Sequence, residues 1–155
     1  MAETHWEVNA TPDQVYAVLA DGWTYSDWVV GSAHIRSVDP NWPATGASLH
    51  HKVGPWPVSI RDRSEVLRMD RPHRLVLRAR VWPLGEASVQ ITITETGPAR
   101  SRITMREEFA AGPLRRLKTL LNDVALHWRN RESLRRLGDL AERRTRAAAG
   151  PPPLD

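Results

Sequence analysis

The feature that most constrains this fold is a series of alternating segments that ends in one long helical pattern. Residues 3–10 alternate between apolar and polar side chains, which predicts a strand. Two short helical segments follow, and six further segments between residues 32 and 110 favour strands. A helical pattern then runs from Gly112 to about Arg146. Because short turns join consecutive strands, the sequence predicts an α+β fold with a seven-stranded antiparallel sheet wrapped on a C-terminal helix.

The chain length of 155 residues suits a single domain, which we predict over residues 1–146. Residues 147–155 contain Gly150 followed by three prolines, so we expect a disordered tail there. No stretch approaches the about 20 apolar residues of a membrane span, and residues 1–5 lack the apolar run of a signal peptide. These features predict a cytoplasmic protein, and a homodimer is compatible with them.

The positive charge of the chain comes from 20 Arg and only 2 Lys, which give a net charge of +4. The Arg residues alternate with Asp and Glu and form no strip with aromatic residues, so we expect a solvated surface and no nucleic-acid partner. The absence of Cys excludes thiolate nucleophiles. His50 and His51 point to opposite faces of one strand, and no other pair has ligand spacing. The sequence therefore predicts neither a metal site nor a cofactor.

Three charged residues lie on faces that are otherwise apolar, namely Asp62, Glu107 and Arg131. Burying a charge is costly unless it is paired or hydrogen-bonded, so charges that point inward indicate a pocket between sheet and helix. Glu107 and Arg131 are predicted to meet, either as a structural ion pair or as substrate contacts. His127, one turn before Arg131, is either a hydrogen-bonded core histidine or an acid/base group together with Asp62 or Glu107.

The pairing of the third and fourth strands determines where Asp62 points. A hairpin that turns at residues 54–57 would place Leu49 opposite Asp62 and His51 opposite Ile60, which leaves His51 diagonal to Asp62. A slip by one residue would instead turn Asp62 outward. The predicted inward stripe of the long helix comprises Leu117, Leu120, Val124, His127, Arg131, Leu134, Gly138 and Ala141.

The chain has seven Trp and only one Phe. Each Trp offers a large apolar surface with one hydrogen-bond donor, and ordinary packing is the alternative role for every one of them. The candidates for the cavity wall are Trp6, Trp28, Trp82 and Trp128, and those for its rim are Trp42 and Trp56.

Several segments carry a resemblance to a known superfamily. They are residues 15–21, Tyr25–Gly31, Gly46 with His50–Gly54, Glu107, and Arg131 with Leu134 and Leu137. Over residues 3–145 the chain resembles the helix-grip fold of the START-like superfamily, and within it the small bacterial polyketide cyclase/dehydrase-like proteins. The resemblance implies a cavity between the sheet and the last helix, in a group whose members bind lipids, sterols, polyketides or hormones. It implies no universal catalytic motif.

We therefore expect a small hydrophobic or aromatic ligand in a cavity of about 300–1,000 Å³. The predicted ligand contacts are Trp28, His51, Val53, Ile60, Asp62, Leu77, Val89, Ile91, Met105, Glu107, His127 and Arg131. One alternative is a cyclase/dehydratase enzyme, in which His51 or His127 with Asp62 moves protons on a poly-β-keto chain. Another is a scaffold whose cavity is filled by side chains and which binds a partner.

Overall fold

The computed structural model describes residues 2–53, 60–81, 85–111 and 120–151. The strands are β1 (Ala2–Val8), β2 (Ser32–Val38), β3 (Ser48–Val53), β4 (Ile60–Asp70), β5 (Arg74–Val81), β6 (Gly85–Gly97) and β7 (Arg100–Ala111). The helices are α1 (Pro12–Ala20), α2 (Tyr25–Trp28), which follows a 3₁₀ turn at Gly22–Thr24, and α3 (Leu120–Ala149). The seven strands form one sheet in the order β1-β7-β6-β5-β4-β3-β2, and all neighbours are antiparallel. The predicted α+β architecture is confirmed.

The first helix begins where its sequence predicts. Thr11 caps α1, and its hydroxyl accepts a hydrogen bond from the backbone N–H of Gln14 at 3.3 Å. The Gln14 side chain accepts one in return from the Thr11 N–H at 2.8 Å. Pro12 occupies the first turn, where its missing N–H has no helical partner to lose. This capping box determines where the chain leaves β1 and turns onto the sheet.

The inward face of the sheet follows the predicted alternation. Leu75 and Leu77 of β5, Ile93 of β6, and Ile103 and Met105 of β7 are buried. The residues between them on the same strands are half-buried or exposed. The alternation therefore positions one apolar face toward the helices, as expected for a sheet covered on one side.

The pairing of β3 with β4 differs from the prediction by two residues. His51 lies directly opposite Asp62, and Leu49 lies opposite Ser64. The difference arises because Val53 pairs with Ile60, so six residues connect the strands where a tight turn at residues 54–57 was predicted. Because the shift is an even number, every side chain keeps its predicted face. Asp62 consequently points inward.

The buried face of α3 differs from the predicted stripe in its first half. Leu134, Leu137 and Ala141 are fully buried, and α3 packs mainly on β1 with α1 and α2 beside it. Gly138 approaches β1 so closely that a Cβ atom there would lie 3.2 Å from Cδ1 of Trp6. The close contact of Gly138 with Trp6 sets the rotation of the helix.

Counting back from Gly138 in steps of four residues leads to Asn130, which is buried, and to Leu126, which is half-buried, on the same face of the helix. Val124, His127 and Arg131 are therefore exposed, and their assignment to the inward stripe was wrong. Leu117 and the side chain of Leu120 lie outside the described residues.

The end of α3 lies at Ala149, three residues beyond the predicted end at Arg146. Residues 147–149 are alanines, which have the highest helix propensity, so the helix continues through the first part of the predicted tail. Gly150, with a φ of 74°, ends it. Residues 152–155 of the tail lie outside the described residues. Across the described ranges, no helix is long and apolar enough to cross a membrane.

Candidate functional site

A cavity of about 170 Å³ lies between α2, α3 and the central strands of the sheet. This volume is smaller than the predicted range and similar to the about 150 Å³ of an apolar cavity that can hold benzene. Its wall combines apolar side chains of β5, β6 and β7 with polar side chains of β3, β4 and α3. The space between sheet and helix is therefore not filled by side chains, which argues against the scaffold alternative.

The structure brings together most of the predicted ligand contacts. Those on the cavity wall are Trp28, His51, Asp62, Leu77, Val89, Met105 and Glu107. Ile91 is fully buried in the core and Ile60 is half-buried, and neither contributes to the wall. His127 and Arg131 are exposed outside it, because α3 is rotated relative to the predicted stripe. The side chain of Val53 lies outside the described residues.

His51 belongs to a chain of hydrogen-bonded groups on the cavity wall. Its Nε2 is 3.2 Å from Oγ of Ser64, which is in turn 3.1 Å from the hydroxyl of Tyr25. Its Nδ1 is 3.5 Å from the hydroxyl of Ser32. Burial, with a smaller contribution from the neighbouring His50, lowers the pKa of His51 to about 4. The imidazole is therefore neutral at physiological pH, with both ring nitrogens engaged by hydroxyl groups.

Asp62 faces the same cavity from β4 and is buried. Its Oδ1 accepts a hydrogen bond from the Arg63 N–H at 2.7 Å, whereas Oδ2 has no partner among the described residues. Burial raises the pKa of Asp62, and the Arg63 N–H and the charge of Arg80 oppose this effect. His51 and Asp62 share the wall but no direct hydrogen bond joins these two described side chains.

Glu107 pairs with Arg129, and the predicted contact with Arg131 was wrong. The Arg129 guanidinium donates to Oε2 of Glu107, which is only 4% exposed. It also donates to Oδ1 of Asn130 at 3.1 Å. Arg131 instead lies over the ring of Trp6, 5.2 Å from its centroid. The rotation of α3 explains why Glu107 contacts Arg129 and not Arg131, because it turns Arg129 toward the cavity and Arg131 toward β1.

Asn130 and Ser133 are wall residues that the sequence interpretation missed. Asn130 is 1% exposed, and its Nδ2 has no partner among the described residues. The Ser133 hydroxyl accepts a hydrogen bond from the Val30 N–H at 3.1 Å, which fastens the segment after α2 to α3. Both residues follow the helical period of Leu134 and Leu137. That signal could have identified them, but the predicted inward stripe of the helix did not include them.

The described residues among the remaining aromatic and histidine candidates lie outside the cavity wall. His127 is exposed, with Nδ1 3.2 Å from the Thr4 hydroxyl. Trp128 is 65% exposed, so its assignment to the wall was wrong. Trp42 donates to the Leu19 carbonyl at 3.1 Å and packs against the core rather than at a rim. Trp6 packs against the core beneath Arg131 and is not a wall residue.

Trp56 and Trp82 lie outside the described residues. Over the four described ranges, no three His, Cys, Asp or Glu side chains come together in a group that could hold a metal ion.

Comparisons with known proteins agree with this architecture. The sequence model for polyketide cyclase/dehydrase and lipid transport proteins matches residues 2–142. The Zhui aromatase/cyclase from Streptomyces sp. R1128 superposes with a TM-score of 0.74 at 20% identity, covering 97% of this chain and 98% of that one. A hypothetical protein from Helicobacter pylori superposes with a TM-score of 0.71 at 14% identity, covering 90% and 86%.

The di-domain aromatase/cyclase BexL of the BE-7585A biosynthetic pathway has a TM-score of 0.70 at 16% identity, covering 91% of this chain and 46% of that one. At these identities the structures establish a shared fold. No curated protein sequence matches this chain.

Proposed function

This chain belongs to the polyketide cyclase/dehydrase and lipid transport family, and on that premise we propose that it binds a small hydrophobic or aromatic molecule in its cavity. The observation that carries the proposal is the unfilled space between the sheet and α3, bounded by Trp28, Leu77, Val89 and Met105. Apolar walls with a few fixed polar groups are typical of small-molecule sites. We place this role in the cytoplasm and assign the arginine-rich surface to solvent rather than to nucleic acid.

The size of the cavity supports a ligand, or the part of a longer ligand, with one six-membered ring. Cavities near 150 Å³ hold benzene, and this one measures about 170 Å³. Acetophenone is a suitable probe because it has one ring and is uncharged. We expect acetophenone to bind the purified protein, as measured by isothermal titration calorimetry.

A pair of matched substitutions locates the binding. Val89 lines the cavity, so Val89→Phe should fill it and weaken acetophenone binding at least tenfold. Val124 is 62% exposed on α3 and outside the wall, so Val124→Phe should leave the affinity unchanged. Equal binding by Val89→Phe would place the ligand elsewhere, and no binding by the parent protein would refute the proposal for ring-sized ligands.

A cyclase/dehydratase activity is the second candidate, and the position of His51 directly opposite Asp62 on the wall favours it. A neutral imidazole can accept a proton from a carbon next to a carbonyl, and a protonated carboxyl group can donate one. The structural similarity to two aromatase/cyclases supports the same candidate. If a poly-β-keto mimic is cyclised by the parent, and His51→Gln abolishes turnover but retains binding, the enzyme is the better description.

A further inference from the structure

Two buried polar atoms beside the cavity find no hydrogen-bond partner in the part of the chain that the structure describes. Among the described residues, the buried side-chain atoms without a hydrogen bond are Oδ2 of Asp62, Nδ2 of Asn130 and the hydroxyl of Tyr16. Asp62 and Asn130 both line the cavity, whereas Tyr16 does not. A buried polar group without a partner costs about 1–3 kcal/mol, so native proteins rarely retain one without a reason. Two such atoms on one cavity wall indicate that a ligand supplies the partners.

The surroundings of Asn130 determine which of its atoms is free. Arg129 donates to Oδ1 of Asn130 from both Nε and a terminal nitrogen, at 3.3 Å and 3.1 Å. Because a guanidinium can only donate, the amide must present its oxygen to Arg129 and its NH₂ group elsewhere. The free group at this position is therefore a donor, which requires an acceptor such as a carbonyl oxygen on the ligand.

The other polar groups of the wall are already engaged. Glu107 is paired with Arg129, and His51 contacts the hydroxyls of Ser32 and Ser64. An anionic ligand would approach the carboxyl group of Asp62, and the two guanidinium groups of the wall are already paired, Arg80 with Glu86 and Arg129 with Glu107. Electrostatics at this wall therefore favour an uncharged molecule over a carboxylate.

We propose that Asp62 and Asn130 select an uncharged, ring-sized ligand that carries a hydroxyl group for Asp62 and a carbonyl oxygen for Asn130. This inference rests on the proposed binding function. Both free atoms are shielded from solvent while their residues line the cavity. The terminal torsions of Asp and Asn are soft enough to turn these atoms toward a ligand. The two residues thus act as specificity determinants within an otherwise apolar site.

Four matched probes test the inference on the parent protein by calorimetry. meta-Hydroxyacetophenone carries both groups, meta-methylacetophenone lacks the hydroxyl, meta-isopropylphenol lacks the carbonyl, and meta-hydroxybenzoate is an anion. We expect the first to bind about tenfold more tightly than either neutral analogue, the usual effect of one hydrogen bond. The benzoate should bind more weakly than meta-hydroxyacetophenone by at least the same factor.

Two variants assign each preference to its residue. Asp62→Leu should remove the preference for the hydroxyl probe over its methyl analogue, and Asn130→Leu should remove the preference for the acetyl probe over its isopropyl analogue. Glu108→Gln, an exposed position on β7, should retain both preferences. If either leucine variant fails to fold, the four probe affinities measured on the parent protein still test the proposal.

Each remaining outcome has a distinct meaning. Equal affinities for the three neutral probes would overturn this inference while leaving the binding function in place. Tightest binding of the benzoate would also overturn it and would indicate a guanidinium of the wall, Arg80 or Arg129, as the anchor. No binding of any probe would refute the binding function for ring-sized ligands, and this inference with it.

Discussion

His51 is a buried histidine whose contribution to stability depends on pH. Burial lowers its pKa from 6.5 to about 4 in the folded protein. In the unfolded chain the imidazole binds a proton as the pH falls below about 6.5, whereas in the folded protein it resists protonation until about pH 4. The unfolded state therefore binds more protons throughout this window. The free energy of unfolding should fall by roughly 3 kcal/mol as the pH decreases across it.

The variant His51→Gln removes this titration and keeps a polar side chain near Ser64. We expect the difference in unfolding free energy between pH 7 and pH 4.5, measured by urea denaturation, to shrink in this variant. His5→Gln is the control, because His5 is exposed on β1, at the far side of the sheet from His51. An unchanged slope in His51→Gln would show that other groups cause the pH dependence.

At the scale of the residue, the sequence predicted the faces of the strand side chains better than it predicted the contacts between side chains. His51, Asp62 and Glu107 line the cavity because strand alternation determines their faces. The partner of Glu107 was missed because Arg129 and Arg131 lie two positions apart on a helix. Two positions correspond to about 200° of rotation, so the two arginines point to nearly opposite sides of the helix and only its rotation decides which one meets Glu107.

The ion pair between Glu107 and Arg129 connects β7 to α3 and is asymmetric. The side chain of Glu107 is 4% exposed, whereas that of Arg129 is 39% exposed. Arg129→Gln would leave a buried carboxylate without its cation, which we expect to cost about 2–3 kcal/mol of stability. Glu107→Gln would leave an arginine that can reach solvent, so we expect a loss of about 1 kcal/mol. Urea denaturation of both variants measures the difference.

An exposed pair provides the control for this asymmetry. Glu7 of β1 and Arg102 of β7 are 44% and 54% exposed, so neutralising either one should cost less than about 1 kcal/mol. If Glu107→Gln proves as costly as Arg129→Gln, then Arg129 is held away from water more firmly than its exposure indicates. Equal and small losses in all four variants would show that the pair does not hold α3 on the sheet.

At the scale of the element, the strands could be predicted and the rotation of α3 could not. A strand has two faces, so alternation alone assigns each residue to one of them. The helix has a continuous choice of rotation, and the predicted stripe included Val124, His127 and Arg131, which are in fact exposed. The rotation depends on the close approach of Gly138 to Trp6, which is a contact between two distant segments.

At the scale of the whole molecule, the fold maintains an opening between sheet and helix at a cost in stability. Leu134 and Leu137 of α3 pack into the core. Asn130 and Ser133, on the same face of the helix, are buried polar residues that line the cavity. The volume of this opening could not be predicted, because it depends on the curvature of the sheet and on helix rotation together. Proteins commonly sacrifice stability at functional sites in this way.

Asp62 offers a direct test of that cost. Burial raises its pKa above the ordinary value of 3.8, so on titration from acid the unfolded chain releases this proton first. As the pH rises above 3.8, the unfolded state binds fewer protons and the folded protein loses stability. Asp62→Leu removes both this penalty and the unpartnered oxygen. We therefore expect the variant to be more stable than the parent by about 1–2 kcal/mol at pH 7.

This gain should shrink toward pH 3.5, because below the ordinary pKa of 3.8 the carboxyl group of the parent is mostly protonated in both states. Urea denaturation of parent and Asp62→Leu at the two pH values measures it. Glu107→Leu serves as the control, because Glu107 has a partner and its removal should destabilise the protein. If Asp62→Leu is instead less stable at pH 7, then the hydrogen bond from the Arg63 N–H outweighs the cost of burial. The cavity would then retain Asp62 for its structural role, independently of any ligand.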